Sequence, residues 1–569
     1  MDKNDETGKV LGSFFIVVSP EIIIRRSKEP ISLSINALQC QTVLSKLMGP
    51  IDTWRDKLQV SIQCNYNMIH WTPIQTLGGS NSAYSLADQL RLNPLFRTEA
   101  MINANEDCTI DNVSKCIEWL RQEHGVISII DIVLNHTANE SHWLQQHPDS
   151  AYNCRNSPWL RPAFLLDRML YNVTLDIEHG CWIDRAITSD IHSLDQLEII
   201  RNIIHEHYLP SLKLEEFYLC NTSVLVEKFE KFLTNLIYAN CDPSNCDSDQ
   251  IQLPQKNCHD NFAEIFLEQD PQYRRLSCTV DMDNAFKFIT NQIDYQPTRD
   301  SIGTWMDQAI SCFLQQLIQL NDHKRKQMVH HINSAIDNVL KGAQYERFDP
   351  NGPKVTELTR KHPLTTQYFT DNNDDFTGEK MAENESKLYD DSNCCFYMAH
   401  NGWVMGDDPL RNFAEKDSQV YLRRELICWG DSVKLRYGQN ANDSPFLWSH
   451  MERYVTQMAT VFQGLRLDNC HSTPIHVAQH MIDVARRVNP DLYLIAELFT
   501  SSEDLDNIFV NKLGINSLIR EAMSASTPFE LQRQVYRFGG QPVGSFIPGK
   551  VMIIMTNNSN CFIHYSCLI

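Results

Sequence analysis

Basic charge is scarce in this chain: only 50 Lys and Arg face 71 Asp and Glu, giving a formal net charge of −21 over 569 residues. That balance argues against nucleic acid or an anionic membrane as partner, since both select a basic face. Long apolar runs are missing as well. The stretch Leu11 to Val18 is too short to cross a bilayer, and the charged opening Met-Asp-Lys-Asn-Asp-Glu does not read as a secretory leader. No internal repeat is evident. The 18 cysteines include no tight C-x2-C knuckle. Cys241, Cys246, Cys258 and His259 form only a loose group and are read as loop residues rather than zinc ligands. Such scattered thiols fit a reduced, cytoplasmic setting, so Asn135-His-Thr137 and Asn172-Val-Thr174 are read as chance matches to the glycosylation triplet. No cofactor or metal is expected.

What is present is an ordinary soluble composition, 42% hydrophobic and 21% charged. The length fits one large enzyme domain with insertions, or two to four ordinary domains. Residues 1–150 alternate short apolar runs with amphipathic stretches. A strand pattern at Phe14 to Val18 precedes two expected helices, one over Leu38 to Leu47. Tyr66-Asn-Met-Ile-His-Trp-Thr72 reads as a buried strand stopped by Pro73. Val113 to Glu123 reads as a helix, and Gly125 to Leu134 as a parallel strand covered on both faces. Residues 151–455 break this rhythm with long helical stretches, notably Trp305 to Leu340. They also carry polar loops around 242–257 and 371–391, the second acidic and expected to be mobile. The region is read as an insertion, with a separate helical domain as the alternative. The rhythm resumes over 456–546, and 547–569 forms a divergent tail with an apolar burst at Val551 to Met555.

Two carboxylates dominate the resumed segment. Asp468 ends the run Gly464-Leu-Arg-Leu-Asp468, and Glu497 ends Leu492-Tyr-Leu-Ile-Ala-Glu497. Between them lies an amphipathic helix with Thr473 as expected N-cap, Pro474 at its first position and an apolar stripe from Ile475 to Val488. This β-α-β unit puts an acid at the tip of each strand. Adjacent strands lie about 4.8 Å apart, close to the roughly 5 Å that retaining glycosidases need between nucleophile and acid/base. Asp468 is the expected nucleophile, with Arg466 on the same strand face keeping it ionised; an ion pair at a strand end is the competing reading. Glu497 is the expected acid/base, its pKa raised by Ile495, Phe499 and Asp468; a loop or helix-capping glutamate is the alternative. Asn135 and His136 can hydrogen-bond sugar hydroxyls, or simply cap a loop. Asp131 lies deeper and orients neighbours, and His471 is either a sugar contact or a helix-entry residue. Trp71, Tyr84, Trp403 and Trp448 are read first as core packing and second as pyranose platforms.

Together, Asp131-Ile-Val-Leu-Asn-His136, Gly464-Leu-Arg-Leu-Asp468 and Ala496-Glu497 resemble three ordered signatures of the α-amylase superfamily. Tyr66 to Leu77, Ala399 to Phe413, Val420 to Gly438 and Leu467 to Glu521 further resemble the eukaryotic glycogen debranching enzyme family, over about residues 11–546. The resemblance implies a (β/α)8 TIM barrel with a large, mostly helical insertion, and a 4-α-glucanotransferase acting on glycogen and maltooligosaccharides. It implies Asp468 as nucleophile and Glu497 as acid/base, with Arg466, Asn135, His136 and His471 lining the donor site. It reaches only the transferase half, not the amylo-1,6-glucosidase half. By that likeness the chain is expected to be truncated at both ends, without the last barrel strands and a third carboxylate, and nearly inactive alone. An α-amylase-type hydrolase and an inactive glycogen-binding fragment remain as alternatives.

Overall fold

The computed structural model describes residues 2–4, 10–13, 21–240, 267–293, 298, 301–370, 385–500, 502–521, 527–529, 531–532, 551–555 and 564–566. The strand pattern at Phe14 to Val18, the four-residue cysteine–histidine group, the 242–257 loop and most of the 371–391 loop lie outside these residues. We number the strands used below as β1 (Glu21–Ile24), β2 (Ile31–Ser34), β3 (Cys40–Val43), β4 (Met68–Trp71), β5 (Ile127–Ile132), β6 (His136–Ala138), β7 (His400–Trp403), β8 (Ile427–Lys434), β9 (Gly464–Leu467), β10 (Tyr493–Glu497), β11 (Ser517–Glu521), β12 (Val551–Met555) and β13 (His564–Ser566). The helices are α1 (Ile110–His124), α2 (Thr222–Asn240), α3 (Ile302–Arg347), α4 (Pro445–Val461) and α5 (Ile475–Val488).

An eight-stranded sheet in the order β13-β12-β11-β10-β9-β5-β4-β3 organises the molecule. From β3 to β12 every pairing is parallel, and β13 closes the order antiparallel to β12. The apolar burst at Val551 to Met555 is thus a strand that extends the sheet beyond β11. In the central strands β4, β5, β9 and β10 both faces are buried, as the continuous apolar runs require. Side-chain alternation divides them. Ile130, Ile132, Leu465, Leu467, Leu494 and Ala496 face outward into a core shared with Ile117 of α1, Met458 of α4 and Met481 of α5. Met68, Ile127, Ile129, Tyr493 and Ile495 face inward, where Ile24 of the β1–β2 hairpin, Ile35 and Leu38 pack against them. The hairpin closes the start of the inner face with apolar contact and leaves the strand ends to polar residues.

Two local expectations change. Leu38 to Leu47 is not a helix: Cys40–Val43 pairs in parallel with β4, and 3-10 turns flank it. The β-branched Thr42 and Val43 suit a strand, and the helical spacing of the apolar residues there is coincidental. At α5, Pro474 rather than Thr473 occupies the N-cap. The Thr473 hydroxyl instead donates to the Asn469 carbonyl, which ties the helix entry back to the preceding turn.

Residues 151–455 contain the predicted long helix, α3, of 46 residues. Its first half packs Trp305, Phe313 and Leu317 with Phe229 and Leu233 of α2. Its second half packs Ile336 and Val339 into a different core with Phe164 and Leu170. At its end the buried Arg347 guanidinium donates to the carbonyls of Val355, Glu357, His362 and Pro363. The region also supplies what periodicity did not reveal: a three-stranded sheet β6-β8-β7. It joins His136–Ala138, directly after Asn135, to Ile427–Lys434.

Candidate active site

The β9–β10 register pairs Arg466 with Ile495 and Leu467 with Ala496, so the next residues, Asp468 and Glu497, stand opposite each other. Arg466, two residues before Asp468, shares its inward face. Its guanidinium reaches Asp131 at 2.8 Å, Asp468 at 3.2 Å and Glu497 at 3.2 Å. Asn469, in the left-handed region at φ 45°, binds both members of the pair. Its backbone N–H donates to Glu497 Oε2 at 2.9 Å and its side-chain amide donates to Asp468 Oδ2 at 3.0 Å.

Asp131 sits below this layer and is fully buried. Besides Arg466 it bonds His70 Nε2 at 2.9 Å and accepts from the Tyr84 hydroxyl at 3.0 Å. His70 bonds onward through Nδ1 to the Thr42 hydroxyl at 3.1 Å. Asn135 and His136 bond each other at 2.7 Å through Oδ1 and Nδ1, and His136 Nε2 meets the Tyr84 carbonyl at 3.1 Å. His471 accepts from the Phe499 N–H at 3.4 Å, its ring tilted against Phe499.

Burial pushes the Asp468 carboxyl well above the usual carboxylate range, and Glu497 adds to the push against the opposing charge of Arg466. Arg466 therefore does not secure the ionised form of Asp468, as the sequence suggested. One guanidinium is divided among three acids, and its shortest contact is to Asp131. Burial acts on Asp131 in the same upward direction, but Arg466 and His70 outweigh it and hold that carboxyl below its ordinary value. Burial lowers both His136 and His471 to about 4, leaving neutral rings at neutral pH that can exchange hydrogen bonds with hydroxyls. The Glu497 side chain is 16% exposed against 5% for Asp468, so the glutamate is the more accessible of the two acids.

The fold brings together Asp131, Arg466, Asp468 and Glu497, with Asn135, His136 and His471 around them. Among the candidate platforms, Trp71 and Trp448 are buried core residues. Trp71 stacks on Trp54 at 5.2 Å, and the Trp448 indole donates to the Tyr437 carbonyl. Tyr84 is at the site through Asp131, and Trp403 is half-buried on β7. Sequence reasoning missed His70, Asn469 and Trp429, whose ring lies 5.8 Å from that of His136. His70 was findable, since its inward parity on β4 matches that of Asp131 on β5. Asn469 and Trp429 had no such signal. Among the described residues, no His, Cys, Asp and Glu side chains group as metal ligands.

A family profile described as "Glycogen debranching enzyme, glucanotransferase domain" matches residues 31–493. The glycogen debranching enzyme of Saccharomyces cerevisiae is 34% identical over 524 residues, covering 90% of this chain and 31% of the yeast protein. The chain thus spans about a third of the length of that relative. Among solved structures, an Anoxybacillus α-amylase aligns with a TM-score of 0.31 at 10% identity, covering 90% of this chain and 60% of that one. An α-amylase from Geobacillus thermoleovorans aligns with a TM-score of 0.29 at 9% identity, covering 85% and 51%. With its profile running from the β2 strand to the start of β10, this chain belongs to the glycogen debranching enzyme glucanotransferase domain family.

Proposed function

We propose that this chain carries the 4-α-glucanotransferase step of glycogen debranching on an α-amylase-type (β/α)8 barrel, with 151–455 as its insertion. The observation that carries the reading is the β9–β10 register, which sets Asp468 opposite Glu497 on one shared guanidinium. The substrates are glycogen and maltooligosaccharides, and the proposed setting is the cytoplasm. No helix among the described residues is long and apolar enough to cross a membrane.

In the first displacement an Asp468 carboxylate oxygen bonds to the anomeric carbon of the donor glucose. The glycosidic bond breaks and Glu497 gives its proton to the departing 4-oxygen. In the second, Glu497 takes the proton from the 4-hydroxyl of an acceptor chain. That oxygen bonds to the anomeric carbon and the Asp468 ester bond breaks, so configuration is retained and Glu497 is reprotonated. Asp131 draws Arg466 down beneath the pair, and the guanidinium stabilises whichever carboxylate is ionised. Glu497 is the more exposed acid and so meets both leaving and accepting oxygens. Neutral His471 through Nε2 and Asn135 through its amide nitrogen, both without a partner among the described residues, offer hydrogen bonds to the donor sugar hydroxyls, and His136 holds the Asn135 side chain in place.

Maltopentaose disproportionation tests the reading, with Asp468→Asn as its control. The reading holds if the wild-type chain redistributes maltopentaose into longer and shorter chains. The variant is expected to lose at least about 1000-fold in kcat, as when a covalent nucleophile is removed. Products that only shorten would move the assignment to an α-amylase-type hydrolase. Glycogen co-sedimentation without any product would make this chain a binding fragment.

A further inference from the structure

Lys434 is a buried charged group that the proposed reaction does not use. It ends β8 opposite His136 in the β6–β8 register and is only 1% exposed. A buried ammonium needs partners to offset its desolvation. Its Nζ donates to the Ser472 carbonyl at 2.6 Å and lies 4.5 Å from the centre of the Phe413 ring, within cation–π range. Burial lowers Lys434 to about 7, while the charge of Glu415 pulls the other way. In either protonation state the nitrogen retains a proton to donate to Ser472.

Ser472 closes the turn that touches both members of the acid pair. The Ser472 N–H donates to the Asn469 carbonyl at 2.9 Å. Asn469 in turn donates to Glu497 through its backbone and to Asp468 through its side chain. His471 sits in the same turn, against Phe499. We infer that Lys434 is a positioning residue for the carboxylate pair: by holding the Ser472 carbonyl it fixes the Asn469–Ser472 turn, and through that turn Asp468 and Glu497. The cage is assembled from three distant stretches of chain. Phe413 comes from the 399–413 stretch, Lys434 from the 420–438 stretch and Ser472 from the stretch after the nucleophile. A part of the insertion that contributes no acid to the pair is thereby joined to its geometry. The inference rests on the glucanotransferase reading for its consequence in rate, but not for its consequence in the turn.

Two variants separate the roles. Lys434→Met keeps most of the stem volume and removes the donor; Lys434→Arg keeps charge and donors. The readouts are maltopentaose disproportionation and amide hydrogen exchange at Asn469. Lys434→Met is expected to lower kcat by about 10- to 100-fold with little change in KM, because orientation rather than binding is lost. Its Asn469 amide is expected to exchange at least about tenfold faster while the Ile129 and Leu465 amides of the sheet stay protected, as local opening requires. Lys434→Arg is expected to restore part of both. Unchanged kcat with unchanged Asn469 exchange would overturn the inference. So would exchange accelerated equally across the sheet, which would mark Lys434 as a general stability residue. Should the wild-type chain transfer nothing, the glucanotransferase reading fails, and Asn469 exchange alone still decides the role of Lys434 in the turn.

Discussion

At the scale of single residues, the site is held by sharing. Arg466 serves three acids at once, and each contact lessens what is left for the others. The two histidines are held neutral by burial, and this sets a pH dependence. Their folded pKa of about 4 lies below the ordinary 6.5, so the unfolded chain binds more protons between those values. Stability therefore rises with pH across that window and is lost as pH falls from about 6.5 toward 4. His471→Gln should flatten the plot of unfolding free energy against pH by roughly one proton over that interval. A slope equal to wild type in urea titrations at pH 4.5, 5.5 and 6.5 would show that His471 is not buried neutral.

At the scale of elements, the strand register carries the chemistry. Gly464 allows that register: a Cβ there would lie 2.6 Å from the Tyr493 carbonyl oxygen and 3.0 Å from Ile129 Cγ1. The methyl of Gly464→Ala would press on the strands to either side. The expected cost is about 1–3 kcal/mol, the usual range for overpacking, with transfer reduced because the same register aligns Asp468 with Glu497. Urea unfolding and disproportionation measured together would check it, and an unchanged midpoint would contradict the packing. Elements of this kind were legible in the sequence where one pattern governs. The runs ending at Asp468 and Glu497 and the helix between them were readable because parallel strands buried on both faces are apolar throughout. The strand Cys40–Val43 was not, because four residues carry too little period to outweigh a chance helical spacing. The small sheet β6-β8-β7 was not either, since β6 lies some 260 residues or more along the chain from both β7 and β8, and pairing at that distance leaves no local trace.

At the scale of the whole molecule, the inner face of the parallel sheet is divided between an apolar start and a polar end. The β1–β2 hairpin supplies the apolar closure through Ile24, which is 2% exposed among Ile127, Ile129, Tyr493 and Ile495. Ile24→Ala is expected to cost about 2–4 kcal/mol, as large-to-small changes in a packed core do. A thermal unfolding midpoint within about one degree of wild type would mean that the hairpin does not close this face. The 46-residue helix α3 joins two apolar cores within residues 151–455, and β8 carries Lys434 from that region to the turn after Asp468.

Sequence alone placed Asp468 and Glu497 at the tips of two strands joined by a helix. That placement follows from local rules: alternation, apolar continuity and the chemistry of each side chain. The tertiary structure decided which groups share the inner face with the acids. His70, Tyr84 and Asn469 surround them, Asp131 competes with Asp468 for one guanidinium, and Lys434 reaches the turn from β8. These are contacts between residues up to several hundred positions apart. Their strength depends on burial and distance, and neither exists until the chain has folded.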